Sequence, residues 1–253
     1  MKIGAHVSAA GGLPNAIDRA QAIGAECVQV FASSPRGWAF KPIAEELALK
    51  YREKADEAGI GPTFLHGIYL VNLGGGPDHI KKSVESLTNH MNTATAIGAK
   101  GVIFHAGNHG GAGYDAIFSQ TVDAIQQILK NSAEETLLLI ENSAGMGNHI
   151  GAAFEEIGKI IASVGNKRVN VCLDTQHTVA AGYELFNKAG LNKAMDEFET
   201  HIGLDRLVVV HANDSKTEPG SGVDRHENIG EGHIGEEGFL NIMSHPAFKD
   251  VPF

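Results

Sequence analysis

Short apolar runs alternate with longer segments of helical spacing along the whole chain. The clearest run is Val169-Asn170-Val171-Cys172-Leu173, whose β-branched and apolar residues predict a strand buried on both faces. It stops at Asp174, and His177 follows three residues later. A charged acid at the tip of a buried strand costs on the order of several kcal/mol unless a counter-charge meets it. Similar runs predict strands over residues 2–7, 27–31, 62–65, 101–104, 137–140 and 207–210. Apolar residues at helical spacing predict helices over 13–23, 43–58, 77–97, 114–130, 152–164, 191–202 and 236–243, with Gly59 and Gly98 as stop signals. Val251-Pro252-Phe253 offers only the start of an eighth strand.

Strands that alternate with helices imply parallel βαβ units. Seven such units and part of another predict a TIM (β/α)8 barrel, incomplete at the eighth unit, as one domain over residues 1–253. A doubly wound open sheet is the structural alternative. The Gly-rich stretch Gly107 to Gly113 lacks both its G-x-G-x-x-G fingerprint and a P-loop lysine.

Five predicted strands carry a metal-capable residue at the C-terminal tip: His66, His105, Glu141, Asp174 and His211. A barrel brings all those tips to one face, where its active site lies. His177 follows Asp174 closely, and Asp224-Arg225-His226 lies in the loop after the seventh strand, with a D-x-H spacing that lets both side chains grip one ion. A lone strand-tip histidine is more often a hydrogen-bonded structural residue, and Asp174 before Thr175 could be a helix cap. His6, His79, His90, His149, His201 and His245 are read in that structural or surface sense, while His109 and His233, in Gly-rich loops, stay undecided. Five successive tips of the same chemistry are not five accidents. Two like charges about 4 Å apart repel by roughly 4 kcal/mol at an effective dielectric near 20, and divalent cations relieve that repulsion. His and carboxylate donors without Cys suit Zn²⁺, Mn²⁺ or Fe²⁺. Eight candidate ligands are too many for one ion and adequate for two or three, the arrangement that clamps both oxygens of a phosphodiester.

Composition adjusts this picture. A formal net charge of −10 over 253 residues argues, alone, against a nucleic-acid partner. Thirteen histidines and bound cations would soften the deficit, and the local field at the site matters more than the total. The 43% of hydrophobic residues suffices for a sizeable core. Cys27 and Cys172 both fall in predicted buried strands, so a disulfide framework is not expected and a reducing cytoplasm is. No apolar run approaches the ~18 residues that span a bilayer, and Met1 to His6 has no signal-peptide pattern.

Several motifs together resemble endonuclease IV, the metal-dependent apurinic/apyrimidinic endonuclease family of base-excision repair. They are the stretches from Gly4 to Gly12, His66 to Leu73, Phe104 to Gly107, Leu139 to Gly145, Cys172 to His177 with Ala180 to Tyr183, His211 to Lys216, and Asp224 to Gly232. The resemblance covers nearly the whole chain. It implies a trinuclear zinc site, with Mn²⁺ as a possible substitute. His66, His105 and a bridging, catalytic Glu141 would hold the first ion; Glu141, Asp174 and His211 the second; His177, Asp224 and His226 the third. It implies hydrolysis of the phosphodiester 5′ to an abasic site in double-stranded DNA, leaving a 3′-hydroxyl and a 5′-deoxyribose phosphate, by a monomer. Arg36 matches an arginine that enters the minor groove. Tyr69 and Leu70 match the wedge beside the lesion, where unstacking is traded for a bent duplex with a flipped nucleotide. A bland core or lid role for Trp38, Tyr69 and Leu70 is the alternative. Lys216 and Arg225 would neutralise phosphates.

Two departures stand out. Gln176 occupies a position where the family usually has Cys, with little consequence expected. The family's ninth ligand, a Glu at the tip of the eighth strand, would fall beyond Phe253, as would the closing helix. An exposed edge between the first and last strands, reduced stability, and a second ion held by fewer protein groups are therefore expected. A metal-dependent sugar isomerase or epimerase on the same barrel, or a non-catalytic relative that binds damaged DNA, are the rival functions.

Overall fold

The computed structural model describes residues 1–253. Seven parallel strands, β1 (Gly4–His6), β2 (Cys27–Phe31), β3 (Thr63–His66), β4 (Gly101–Phe104), β5 (Leu137–Glu141), β6 (Val169–Asp174) and β7 (Leu207–His211), pair in chain order. Between and after them run α1 (Pro14–Ala22), α2 (Glu45–Ala58), α3 (Pro77–Ile97), α4 (Tyr114–Asn131), α5 (Phe154–Val164), α6 (Thr175–Ala180), α7 (Lys188–His201) and α8 (Gly235–Ser244). This is the incomplete TIM barrel that the alternation predicts.

Helix α3 shows how the pattern becomes a layer. Pro77 opens it at a position that needs no N–H, and Gly98 ends it in the left-handed region at φ 70°. Val84, Leu87, Met91, Ala94 and Ile97 fall on one face and are buried. Helix faces like this one and the outward side chains of the strands form one apolar layer of 54 buried residues around the barrel. A second, smaller cluster fills the barrel interior: Phe64, Ile103, Leu139, Cys172, Val208 and Val209.

That inner cluster sets the position of the site. Side chains two residues apart on a strand share a face. His66, His105, Glu141, Asp174 and His211 each lie two residues beyond an inner-cluster residue: Phe64, Ile103, Leu139, Cys172 and Val209. The apolar cluster is thus the floor, and the polar ring stands directly above it.

The seam between β1 and β7 differs from the open edge expected. The Val210 amide donates to the Pro252 carbonyl at 3.0 Å, the Gly4 amide to the Phe253 carbonyl at 2.8 Å, and the Phe253 amide to the Lys2 carbonyl at 2.9 Å. Residues 252–253 therefore bridge both edges at the level of the floor. Above that level no strand separates β1 from β7, and a cavity of about 690 Å³ runs from the rim down to Gly4, Val209 and Phe253.

Two further elements escaped the sequence pattern. Helix α6 starts immediately after β6, with Asp174 as its cap. A two-stranded antiparallel hairpin, β8 (Asp214–Ser215) and β9 (His226–Glu227), projects from the end of β7.

Candidate metal centre

Glu141 and Asp174 are the buried acids of the site, 2% and 0% exposed. Glu141 stands between three histidines. Its Oε2 lies 3.0 Å from His66 Nε2 and 3.4 Å from His105 Nε2, and its Oε1 lies 2.8 Å from His211 Nδ1. Asp174 is both a cap and a site residue. Its Oδ1 accepts from the His177 amide at 2.8 Å, while Oδ2 accepts from Asn213 Nδ2 at 2.7 Å and faces His226 Nε2 at 3.9 Å. Asp224, on the hairpin, lies 3.4 Å from His177 Nε2 and 3.2 Å from His226 Nε2.

The chain's own carbonyls orient two of the histidines. His66 Nδ1 donates to the Gly67 carbonyl at 2.7 Å, which leaves Nε2 as the donor atom facing Glu141. His177 Nδ1 donates to the Asn142 carbonyl at 2.9 Å, which leaves Nε2 facing Asp224. A hydrogen bond on one ring nitrogen fixes the lone pair on the other. The Asn142 side chain locks the same region by accepting from the Asp174 amide at 2.7 Å and donating to Thr178 Oγ1 at 3.0 Å.

Backbone geometry holds the loops at β3 and β4 together. Gly107, two residues past His105, adopts φ +97°, and a Cβ there would collide with Asn72 Oδ1. That oxygen accepts from the Gly74 and Asn108 amides at 2.9 and 3.0 Å.

The hairpin depends on a different device. Asp214 is fully buried, and its carboxylate accepts from five backbone amides: Ser215, Gly230, Gly232, Ile234 and Gly235, at 2.7–3.1 Å. Gln176 reaches across from α6 and donates to the Val223 carbonyl at 3.0 Å, next to Asp224. This buried side chain ties the segment that carries Asp224 to α6.

The acids and imidazoles shift one another's protonation. Burial alone would raise the Glu141 pKa, but His105 and His211 beside it outweigh burial and hold it well below the usual carboxylate range. Burial disfavours the charged His177 ring, yet Asp174, Asp224 and Glu141 raise its pKa to about 9. Hydrogen bonds from His177 and His226 push Asp224 far down. The acids lift His177, His211 and His226, whereas burial lowers His105 to about 4.

Three groups of donor atoms each converge within 4.8 Å: His66, His105 and Glu141; Glu141, Asp174 and His211; Asp174, His177 and His226. The first two coincide with the sets implied by the sequence resemblance. In the third, Asp174 joins the two histidines, with Asp224 alongside. Imidazole and carboxylate donors fit a borderline divalent ion. Burial pushes the nearby Cys172 thiol up to about 11, so it offers no thiolate.

The family model described as "Xylose isomerase-like TIM barrel" matches residues 17–253. A "Probable endonuclease 4" of Methanosphaerula palustris is 42% identical, with all of this chain aligned to 90% of that protein. The chain belongs to the endonuclease 4 family. The crystal structure of endonuclease IV from Thermus thermophilus matches with a TM-score of 0.90 and 33% identity, over 100% of this chain and 91% of that one. A D-tagatose 3-epimerase-like protein, at 17% identity and a TM-score of 0.77 over 100% of this chain and 89% of that one, shares the fold.

In this member of the endonuclease 4 family, the surfaces flanking the donors are uneven. Tyr69 is 60% exposed, and its ring packs edge-on against Phe31 with 5.4 Å between centroids. Its amide donates to the Pro35 carbonyl at 2.9 Å, which couples it to the loop carrying exposed Arg36. Leu70 and Trp38 are half-buried against the core, so Trp38 fits the bland core role. Lys216 pairs with Glu227 at 3.5 Å, and Arg225 donates to the Asp224 carbonyl at 2.7 Å. His109 Nδ1 accepts from the Gly113 amide at 3.1 Å, a loop-closing role, and His233 lies 3.7 Å from Glu218. His79 and His90 are structural: each bonds a main-chain carbonyl, those of Leu70 and Ser86. His6 and Gln29 are the rim residues the sequence reading missed. His6 ends β1, as the other site residues end their strands, and that regularity could have revealed it.

Proposed function

We propose that this chain hydrolyses the phosphodiester 5′ to an abasic site in double-stranded DNA, with divalent cations, zinc foremost, at the three donor groups. The observation that carries this reading is the convergence of five strand-tip donors and the hairpin pair around buried Glu141 and Asp174. Membership of the endonuclease 4 family supports it. His66, His105 and Glu141 would hold one ion, Glu141, Asp174 and His211 a second, and His177 and His226 with Asp224 and Asp174 a third. Ions so placed supply Lewis acidity toward phosphate oxygens and lower the pKa of water.

The protein's own groups do the rest. Glu141 spreads its two oxygens over two donor groups and fixes their separation. Asn142, Gly67 and Asn213 keep the donors aimed inward, so little reorganisation is needed at the moment of reaction. Exposed Tyr69, beside Leu70, would wedge at the lesion, and the Pro35 hydrogen bond joins it to the loop that carries Arg36. Lys216 and Arg225 bring local positive charge to an acidic protein. Water adds to phosphorus, the bond to the 3′ oxygen breaks, and the products are a 3′-hydroxyl and a 5′-deoxyribose phosphate. All donors gather at one rim, from the strand tips, from α6 and from the hairpin, which supports a single domain. Two buried, free cysteines fit a reducing cytoplasm, and no helix is long and apolar enough to cross a membrane.

A duplex with one abasic-site analogue tests the reading. Zinc-replete protein is expected to nick it on the 5′ side and leave an end that a polymerase extends; chelation abolishes nicking and zinc restores it. Intact duplex, alongside conversion of a ketohexose by the same sample, would move the assignment to the sugar epimerases.

A further inference from the structure

The three best-buried site histidines are not oriented alike. Main-chain carbonyls hold His66 and His177, but His211 leans on a side chain. Its Nε2 donates to Gln29 Oε1 at 2.7 Å, which leaves Nδ1 as the atom facing Glu141 and Asp174. A carbonyl on the main chain cannot turn over; a primary amide can. If Gln29 rotated by half a turn, its NH₂ would oppose the ring N–H of His211, two donors facing each other.

A second contact prevents that rotation. Gln29 Nε2 lies 2.8 Å from His6 Nδ1. The two residues pair directly across β1 and β2, and they stand on the rim above Gly4 and Cys27 as the other site residues stand above the floor. The His6 ring is itself seated on Phe31, with 4.6 Å between centroids. The chain of contacts therefore runs from Phe31 to His6, to Gln29, to His211, and ends at the donor group shared with Glu141 and Asp174.

The arrangement sets His211 apart from His66 and His177: Gln29, on β2, supplies the acceptor that a main-chain carbonyl supplies to each of them. We propose that Gln29, held in one orientation by His6, is a positioning residue that keeps His211 Nδ1 free to bind the ion of the Glu141–Asp174–His211 group. The proposal rests on the metal-centre reading above.

Zinc retention tests it without reference to DNA cleavage. Zinc-loaded protein is titrated with a chromogenic chelator, and bound zinc per chain is counted. Gln29→Leu keeps the bulk but removes both contacts; it is expected to release one ion at an about 10- to 100-fold lower chelator concentration, the usual cost of losing a partner behind a ligand. Gln29→Glu keeps an acceptor for His211 and is expected to retain that ion. His6→Ala should weaken retention less than Gln29→Leu, and His6→Asn, whose amide oxygen can accept the same N–H, should restore it. If Gln29→Leu does not fold, the His6→Ala and His6→Asn pair decides. Unchanged release from Gln29→Leu in a chain that loads zinc normally refutes the inference alone, as does failure of His6→Asn to recover what His6→Ala loses. A parent chain that takes up no zinc removes the metal reading, and this inference falls with it.

Discussion

The donors on the strands and the donors on the hairpin are supported in opposite ways. Glu141 and Asp174 stand on β5 and β6, where ladder hydrogen bonds on both sides fix the backbone and the apolar floor fixes the height. Asp224 is half-buried and His226 exposed, on a loop whose only regular pairing is two residues long. On the barrel, register places the acids, and short contacts from Asn213 and Asn142 finish the aim of Asp174. The hairpin needs a buried carboxylate with five amides on it and a glutamine bridging to α6. Comparable donor geometry is reached by covalent register in one half and by buried polar contacts in the other.

Breaking the barrel half should have the largest effect on activity. Glu141→Gln removes the charge shared by two donor groups and is expected to lower nicking of abasic duplex by about 10³-fold or more, the several kcal/mol that a Lewis-acid ion contributes. Single-turnover rates check this. A variant within a few-fold of the parent would show that Glu141 is not central.

Breaking the hairpin half should show first in stability. Asp214→Ala removes the acceptor of five amides, two of them buried, and a buried amide costs about 1–3 kcal/mol when no other partner is found. Allowing for relaxation, a loss of about 3 kcal/mol and a fall in Tm of roughly 6–12 °C is expected for a chain of this size. Thermal unfolding measures it, and limited proteolysis should cut between Lys216 and Gly235. An unchanged Tm would mean that the hairpin is held by something other than Asp214.

The smallest effect sharpens the contrast. Gln176→Ala removes the hydrogen bonds to the Val223 carbonyl and Ser215 Oγ behind Asp224, a loss of about 1 kcal/mol. It should weaken one zinc ion while leaving the ions on the strand donors untouched, as read by chelator competition. Loss of all ions together would erase the distinction between the two halves.

The same contrast explains what the sequence reveals. Apolar runs along β3 to β7 that end abruptly in a polar residue make the strand-tip donors visible, because a barrel brings all those tips to one face. The D-x-H pair is visible as spacing, but its support is not. Asp214 and Gln176 are ordinary polar residues in a loop and a short helix, and only tertiary contact reveals their partners. Helix α6 was hidden because six residues with a carboxylate cap carry little periodic signal. The bridging role of residues 252–253 was hidden because their two carbonyls and the Phe253 amide, not side chains, make the contacts. His6 and Gln29 had the right register, yet a glutamine at a strand tip suggests no chemistry until its two neighbours are seen.

The central claim is that these imidazoles and acids converge because cations occupy the space between them. Counting metal per chain tests this most directly, by elemental analysis of protein stripped, reloaded with zinc and freed of excess. The account predicts more than one tightly held zinc ion per chain, with the number falling in Glu141→Gln. Retention of no transition ion after reloading, in a protein that remains folded, would contradict it.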